Sequence, residues 1–162
     1  MSGENKKDFN RMLHDGKDMP RIQTITDPAS IQKYGGARMY FAPPIDYDRA
    51  MRRVPFGRVP TVGELRARFA RESGADFPDP ITAGIFVSIA AWACEQRGDG
   101  ATPWWRTLWA DGELNPKYPG GTALQRERLE AEGHRIVVRG RKNLRYYVED
   151  WQAALADRED LE

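Results

Sequence analysis

The residues best suited to chemistry lie in one run, TPWWRTLWADGELNPKYPGG, residues 102–121. Trp104 and Trp105 stand between Pro103 and Arg106, a third indole follows at Trp109, and Tyr118, Pro119, Gly120 and Gly121 close the run. Rigid aromatic surface beside turn formers serves either as core filling or as a wall that stacks on a flat ligand, and composition weighs the two equally. A nucleophile is harder to find. Cys94, the single cysteine, lies in an apolar stretch next to Glu95 with neither histidine nearby to activate it, so a buried, inert thiol is expected. One cysteine with His14 and His134 gives no zinc set, so no metal is expected. His134 follows Gly133 and suits a carbonyl cap or the start of a strand. The glycines of YPGG lack the Lys-Ser/Thr of a phosphate loop, no Ser, His and Asp set stands out, and neither catalytic residues nor a cofactor are expected.

The elements that must position these residues follow from the rest of the chain. At 162 residues, with 40% hydrophobic and 30% charged side chains, it suits one soluble domain. No apolar run reaches the roughly 20 residues of a membrane span, and the polar N-terminus does not read as a signal peptide, so a cytoplasmic, nucleoid-associated monomer away from membranes is expected. The net charge of +1 hides a separation: seven arginines and one acid between Arg49 and Arg71, five cations and no acid between Arg135 and Arg145, and six acids from Glu149 onward. Clustered cations of this kind are suited to phosphates, although arginines also simply solvate helix faces.

Residues 1–45 read as a mobile arm followed by an extended, glycine- and proline-broken segment, and residues 46–162 as the folded domain. Asp46 is placed to cap a short helix over DYDRAMRRV. Thr61 and Glu64 form a capping box for a helix over 62–73. Asp79 caps and Pro80 opens a second helix that Gly98 stops, with Ile81, Ile85, Ile89 and Trp92 as its apolar stripe. Thr122 and Gln125 form another capping box before the helix ALQRERLEAE. HRIVVRGRKNLRYYVED alternates around a turn at 140–143, a basic hairpin, and WQAALADRED reads as a last helix. The expected fold is α+β, mainly helical: a winged helix-turn-helix with a C-terminal basic hairpin.

VPFGRVPTVGELRARF, then TPWWRTLWADGELNPKYPGG, then QRERLEAEGH resembles the DNA-binding domain of the alkylguanine-DNA alkyltransferases over residues 50–134. That family carries a Phe/Tyr-Gly turn, a helix-turn-helix, a PCHR active-site motif, a YxGG segment and an LLExEG helix. Here the PCHR slot reads Pro103, Trp104, Trp105, Arg106, and an indole cannot act as a thiolate. The chain is therefore similar to alkyltransferase-like proteins, which implies a non-enzymatic sensor that binds double-stranded DNA carrying 6-O-alkylguanine, flips the base and signals to nucleotide excision repair. The resemblance implies a lesion pocket of Trp104, Trp105, Arg106, Tyr118, Pro119, Gly120, Gly121 and Glu132. It implies DNA contacts at Arg52, Arg53, Arg58, Thr61, Thr82, Ala83 and Gly84, and on the wing at Arg139, Arg141 and Lys142. Three family features are absent: Val62 replaces a tyrosine, ITAGIFVSI has no arginine finger, and RGDGATPWWR has no asparagine hinge. Two other classes remain: a divergent alkyltransferase with another acceptor, and a regulatory or protein-interaction winged helix.

Overall fold

The computed structural model describes residues 7–157. Among the described residues six α-helices, α1 (Phe9–His14), α2 (Pro28–Tyr34), α3 (Pro44–Arg52), α4 (Val62–Ser73), α5 (Ala83–Arg97) and α6 (Gly121–Ala131), dominate a mixed α+β fold. Strands β1 (Arg21–Thr24), β2 (Arg38–Phe41) and β3 (Phe77–Pro78) form one sheet in that order. Here β1 runs antiparallel to β2, with Arg21 opposite Phe41, and β2 runs parallel to β3, with Met39 opposite Phe77. Strands β4 (Ile136–Arg139) and β5 (Arg145–Val148) form the C-terminal hairpin. The helix pair α4 and α5 followed by this hairpin has the element order of a winged helix-turn-helix.

The N-terminal segment differs from its expectation. Residues 1–6 of the supposed arm lie outside the described residues, but Asp8 caps α1 through Arg11 N, and the helix packs on α5. Phe9 stacks on Trp92 at 5.5 Å, Leu13 is buried, and the Asn10 amide donates to the Ala93 carbonyl. Between residues 21 and 44 two strands flank α2, which Asp27 caps with Pro28 in its first turn. The glycines that argued for loop are this helix's stop: Gly35 has φ 83°, a left-handed conformation open to glycine at little cost.

Helix starts depart in three places. Pro43 and Pro44 open α3, with Asp46 in its first turn rather than at the cap. The Asp79 carboxylate accepts from Ile81 N, Thr82 N and the Thr82 hydroxyl, and α5 begins after it at Ala83. Gly120 precedes α6 in a left-handed conformation, so Thr122 and Gln125 make no capping box. Gln125 is instead fully buried, accepting from Asn115 N and donating to the Trp105 carbonyl. The capping box of α4 forms as expected: Thr61 Oγ1 accepts from Glu64 N, and Thr61 N donates to Glu64 Oε1. After β5 only a 3-10 turn, Trp151–Ala154, forms: residues 155–157 of the expected last helix are not helical, and residues 158–160 lie outside the described residues.

Only part of the expected stripe of α5 reaches the core: Ile89 is buried and Trp92 half-buried, but the first two members are exposed. Ile81 is 76% and Ile85 56% exposed, while Val87, Ala90, Ala91, Ala93 and Cys94 are buried. Nearly every position of α5 is apolar, so periodicity could not choose a face; the small alanines allow the closest backbone approach and win the core.

Candidate functional site

Local bonding fixes the PWWR segment before any tryptophan packs. Thr102 Oγ1 donates to buried Asp48 of α3 at 2.6 Å, and Asp48 also accepts from Arg52 Nε at 2.7 Å. A 3-10 turn then spans Trp104–Arg106, and the chain joins the entry to α4 through Leu108 N to the Pro60 carbonyl and Val62 N to the Leu108 carbonyl. The motif is therefore held by α3 on one side and by the start of α4 on the other.

Trp104 is wholly enclosed, at 0% exposure. Its ring meets Tyr118 edge-on at 5.1 Å and Trp105 at 5.7 Å, and its Nε1 donates to Glu95 Oε1 of α5 at 3.0 Å. Arg128 of α6 donates to the same Glu95 oxygen, and its guanidinium lies 5.1 Å from the Trp104 ring and 4.9 Å from that of Trp105. Tyr118 is buried, and its hydroxyl donates to the Thr107 carbonyl at 3.1 Å. Burial pushes that hydroxyl's pKa well up, against the opposing hydrogen bond of Asn115, so it stays a neutral donor. The position expected to wall a pocket is filled by the indole itself.

Glu132 is the hub of the second half. Its carboxylate accepts from Trp105 Nε1 at 2.6 Å, Arg106 Nε at 2.9 and 3.0 Å, and Gly57 N at 2.9 Å. Arg106 also donates from Nη1 to the Val54 carbonyl and lies 5.7 Å from the ring of Phe56, which is 69% exposed. With side-chain exposures of 13% and 5%, Arg106 and Glu132 form a nearly dry ion pair whose acceptor sites are all used. Nothing in this hub is left as a general base. Trp105 packs against both hydrophobic clusters and so ties α3, α4 and α5 to the hairpin layer.

Of the other expected pocket residues, Pro119 is buried, Gly121 half-buried and Gly120 exposed. Gly120 has φ 73°, and a side chain there would run into Leu124, so the YPGG turn requires glycine. The expected DNA contacts divide. Arg53, Arg58, Arg139, Arg141 and Lys142 are exposed, and Arg52 is exposed while bonded to Asp48. The Arg139 guanidinium sits 4.5 Å from the Tyr147 ring, which leaves its outer face open. Thr61 and Ala83 are buried, the Thr82 hydroxyl is taken by Asp79, and Gly84 has open space at its Cβ position. Cys94, buried as expected, has its Sγ 3.9 Å from Asp99 Oδ1.

What sequence reasoning missed is an open groove of about 570 Å³ along the exposed edge of α5. Ile85, Ser88 and Trp92 of α5, Trp109, and Phe9 of α1 line it, with Lys7 and Lys117 among its polar members. The Trp92 indole donates from Nε1 to the Lys117 carbonyl at 2.9 Å, which sets its ring as a wall. Trp109 is held by Trp109 N donating to the Glu113 carbonyl at 2.8 Å. Part of the signal is in the sequence: Ile85 and Trp92 stand in the apolar stripe read there, but their spacing does not say which members stay exposed.

No family model matches the chain, and no curated protein matches it. Two solved structures are similar to it. One is S. pombe Atl1 in complex with damaged DNA containing O6-carboxymethylguanine, 20% identical, with a TM-score of 0.47 over 70% of this chain and 94% of that one. The other is S. pombe ATL in complex with DNA, 21% identical, with a TM-score of 0.48 over the same shares.

Proposed function

We propose that this protein binds duplex DNA as an alkyltransferase-like sensor: it recognises 6-O-alkylguanine by extruding the base, takes no alkyl group from it, and marks the site for repair proteins. The observation that carries this reading is Trp104, a buried indole in the slot where the motif order calls for a nucleophile. Glu132, the acid that would serve a neighbouring base, is spent on Trp105, Arg106 and Gly57. Cys94 is enclosed and offers no substitute thiol.

The extruded base is received in the α5 groove, since the space around Trp104 is full. Trp92 and Trp109 present flat apolar surface, and base–aromatic stacking contributes about 1–3 kcal/mol per base, enough to offset an extrusion that costs a few kcal/mol. Lys7 and Lys117 lie beside it for the flanking phosphates, and Arg58, Arg139, Arg141 and Lys142 extend the basic footprint.

The test is binding to matched duplexes with and without one 6-O-methylguanine at several salt concentrations. Tighter binding of the lesion, a steep fall with salt and no alkyl mass gained by the protein are expected. Equal affinity for both duplexes would sink damage recognition, and an alkyl adduct would make the protein an acceptor after all. One observation favours a second reading, a protein-interaction winged helix: Ile81 and Ile85 leave an apolar edge on the helix that would face DNA. Absence of duplex binding even at low salt selects it.

A further inference from the structure

The C-terminal hairpin presents an apolar residue inside its most basic stretch. Residues 135–145 hold five cations and no acid. Two of the five are committed: Arg145 donates to both Glu113 oxygens, at 2.8 and 2.5 Å, and Arg135 pairs with Glu149 at 3.5 Å. Arg141 and Lys142, at the turn, are exposed and form no ion pair among the described residues. Beside them Leu144 is 52% exposed, and Val138, across the hairpin, is 45% exposed. Val138 pairs with Tyr146, and alternation puts it on the face that Ile136 and Val148 bury against the core. The hairpin therefore carries an apolar face beyond the body that covers its base.

A floppy tip would lose binding energy to ordering, but this one is held. Gly140 has φ 99°, and a side chain there would run into the Asn143 carbonyl, so the turn requires glycine. On its outer edge β5 is clamped by Leu114 N, which donates to the Tyr146 carbonyl at 2.8 Å, and by the Arg145 pair with Glu113. The strands themselves are unsuited to reading base edges in a major groove: β4 offers Ile136, Val137 and Val138, and Arg139 lies 4.5 Å from the Tyr147 ring. The tip differs. Arg141, Lys142, Asn143 and Leu144 combine cations, an amide and an apolar wedge, the set that enters a minor groove and parts a base step. We propose that the hairpin tip enters the minor groove of duplex DNA and inserts Leu144 at a base step, bending the duplex. Arg141 and Lys142 meet the flanking phosphates. Pyrimidine–purine steps unstack most easily, so the contact favours such steps without hydrogen bonds to their edges. This rests on the duplex-binding part of the proposed function and is independent of the altered base.

The experiment is energy transfer between fluorophores at the two ends of a short unmodified duplex of TA steps, titrated with the full chain at several salt concentrations. Binding should raise the transfer, because bending brings the ends together. Leu144→Ser alters an exposed side chain, so its urea midpoint stays put while the bend is lost and binding weakens severalfold. Arg141→Gln and Lys142→Gln each lower the slope of log affinity against log salt by about 1. A matched duplex of AA steps should bind the unaltered chain more weakly, with a smaller difference for Leu144→Ser. An unchanged bend in Leu144→Ser overturns the wedge, as does binding to phosphatidylglycerol vesicles that needs Leu144 while duplex binding does not. A duplex with one 6-O-methylguanine separates this from lesion recognition. Equal affinity for both duplexes with a Leu144-dependent bend supports the wedge and sinks damage recognition alone; lesion preference with a Leu144-independent bend sinks the wedge alone. Absence of duplex binding overturns both.

Discussion

Two pairs of tryptophans do opposite things. Trp104 and Trp105 send each indole N–H to a glutamate, Glu95 and Glu132, and Trp104 is sealed at 0% exposure. Trp92 and Trp109 are half-buried and wall an open groove. Residue type is the same, so the difference lies in what surrounds it. A buried indole must find a hydrogen-bond acceptor and neighbours of matching shape, which commits it to structure. Trp92, tethered at one edge by the Lys117 carbonyl and stacked on Phe9, instead lines the open groove.

The sharpest way to break that contrast is to truncate one member of each pair. Trp104→Ala empties the centre of the core and should cost about 3–5 kcal/mol, whereas Trp92→Phe, which keeps a ring and loses one hydrogen bond, should cost about 1 kcal/mol. Urea unfolding of both variants checks this, and equal losses would mean that Trp92 is core as well. Duplex binding should move in the opposite order wherever Trp104→Ala remains folded.

The element order over 46–148 was legible in the sequence because its signals are local: the Thr61 and Glu64 capping box, the glycine stops and the hairpin turn all act within a few residues. The orientation of α5 was not. Which face of an almost wholly apolar helix is buried depends on the shape of partners far away in sequence, and α1, read as a floppy arm, is one of those partners. Gln125 shows the same limit. Its spacing from Thr122 fits a capping box, but the long-range demand of Asn115 N and the Trp105 carbonyl outweighs one local bond. At the site, the resemblance implied a lesion pocket that included Trp104, Trp105, Arg106 and Glu132; in the structure Trp105 and Arg106 bond Glu132, while Trp104 touches Trp105 and bonds Glu95. That Trp104 is sealed could be learned only from packing.

Glu132 offers the next largest effect. Glu132→Gln keeps the size but turns one acceptor into a donor facing Arg106, Trp105 and Gly57, and should cost about 2–3 kcal/mol because a charged partner is left buried. A loss below about 0.5 kcal/mol would mean that the hub is not dry. On the open side, Ile85→Ser should change stability by no more than about 0.5 kcal/mol, since the side chain is 56% exposed. A larger loss would show that the groove is covered in solution.

The smallest effect concerns His134, two residues beyond Glu132. Its Nε2 is buried without a partner among the described residues, while its backbone N–H donates to the Leu129 carbonyl. Burial lowers its pKa most, Glu132 opposes this, and Arg106 adds to the lowering. The folded state therefore prefers the neutral ring, and the unfolded chain binds the proton more readily. Stability should hold above the unfolded value of about 6.5 and decline as pH falls from there toward the lower folded value, then level off. His134→Gln removes the titration, so the difference between that variant and the unaltered chain in urea midpoints at pH 7.5 and at pH 5.5 isolates it. If the two proteins lose stability in parallel on acidification, the His134 ring is solvated in the folded state and its Nε2 is not the buried, partnerless atom that the structure shows.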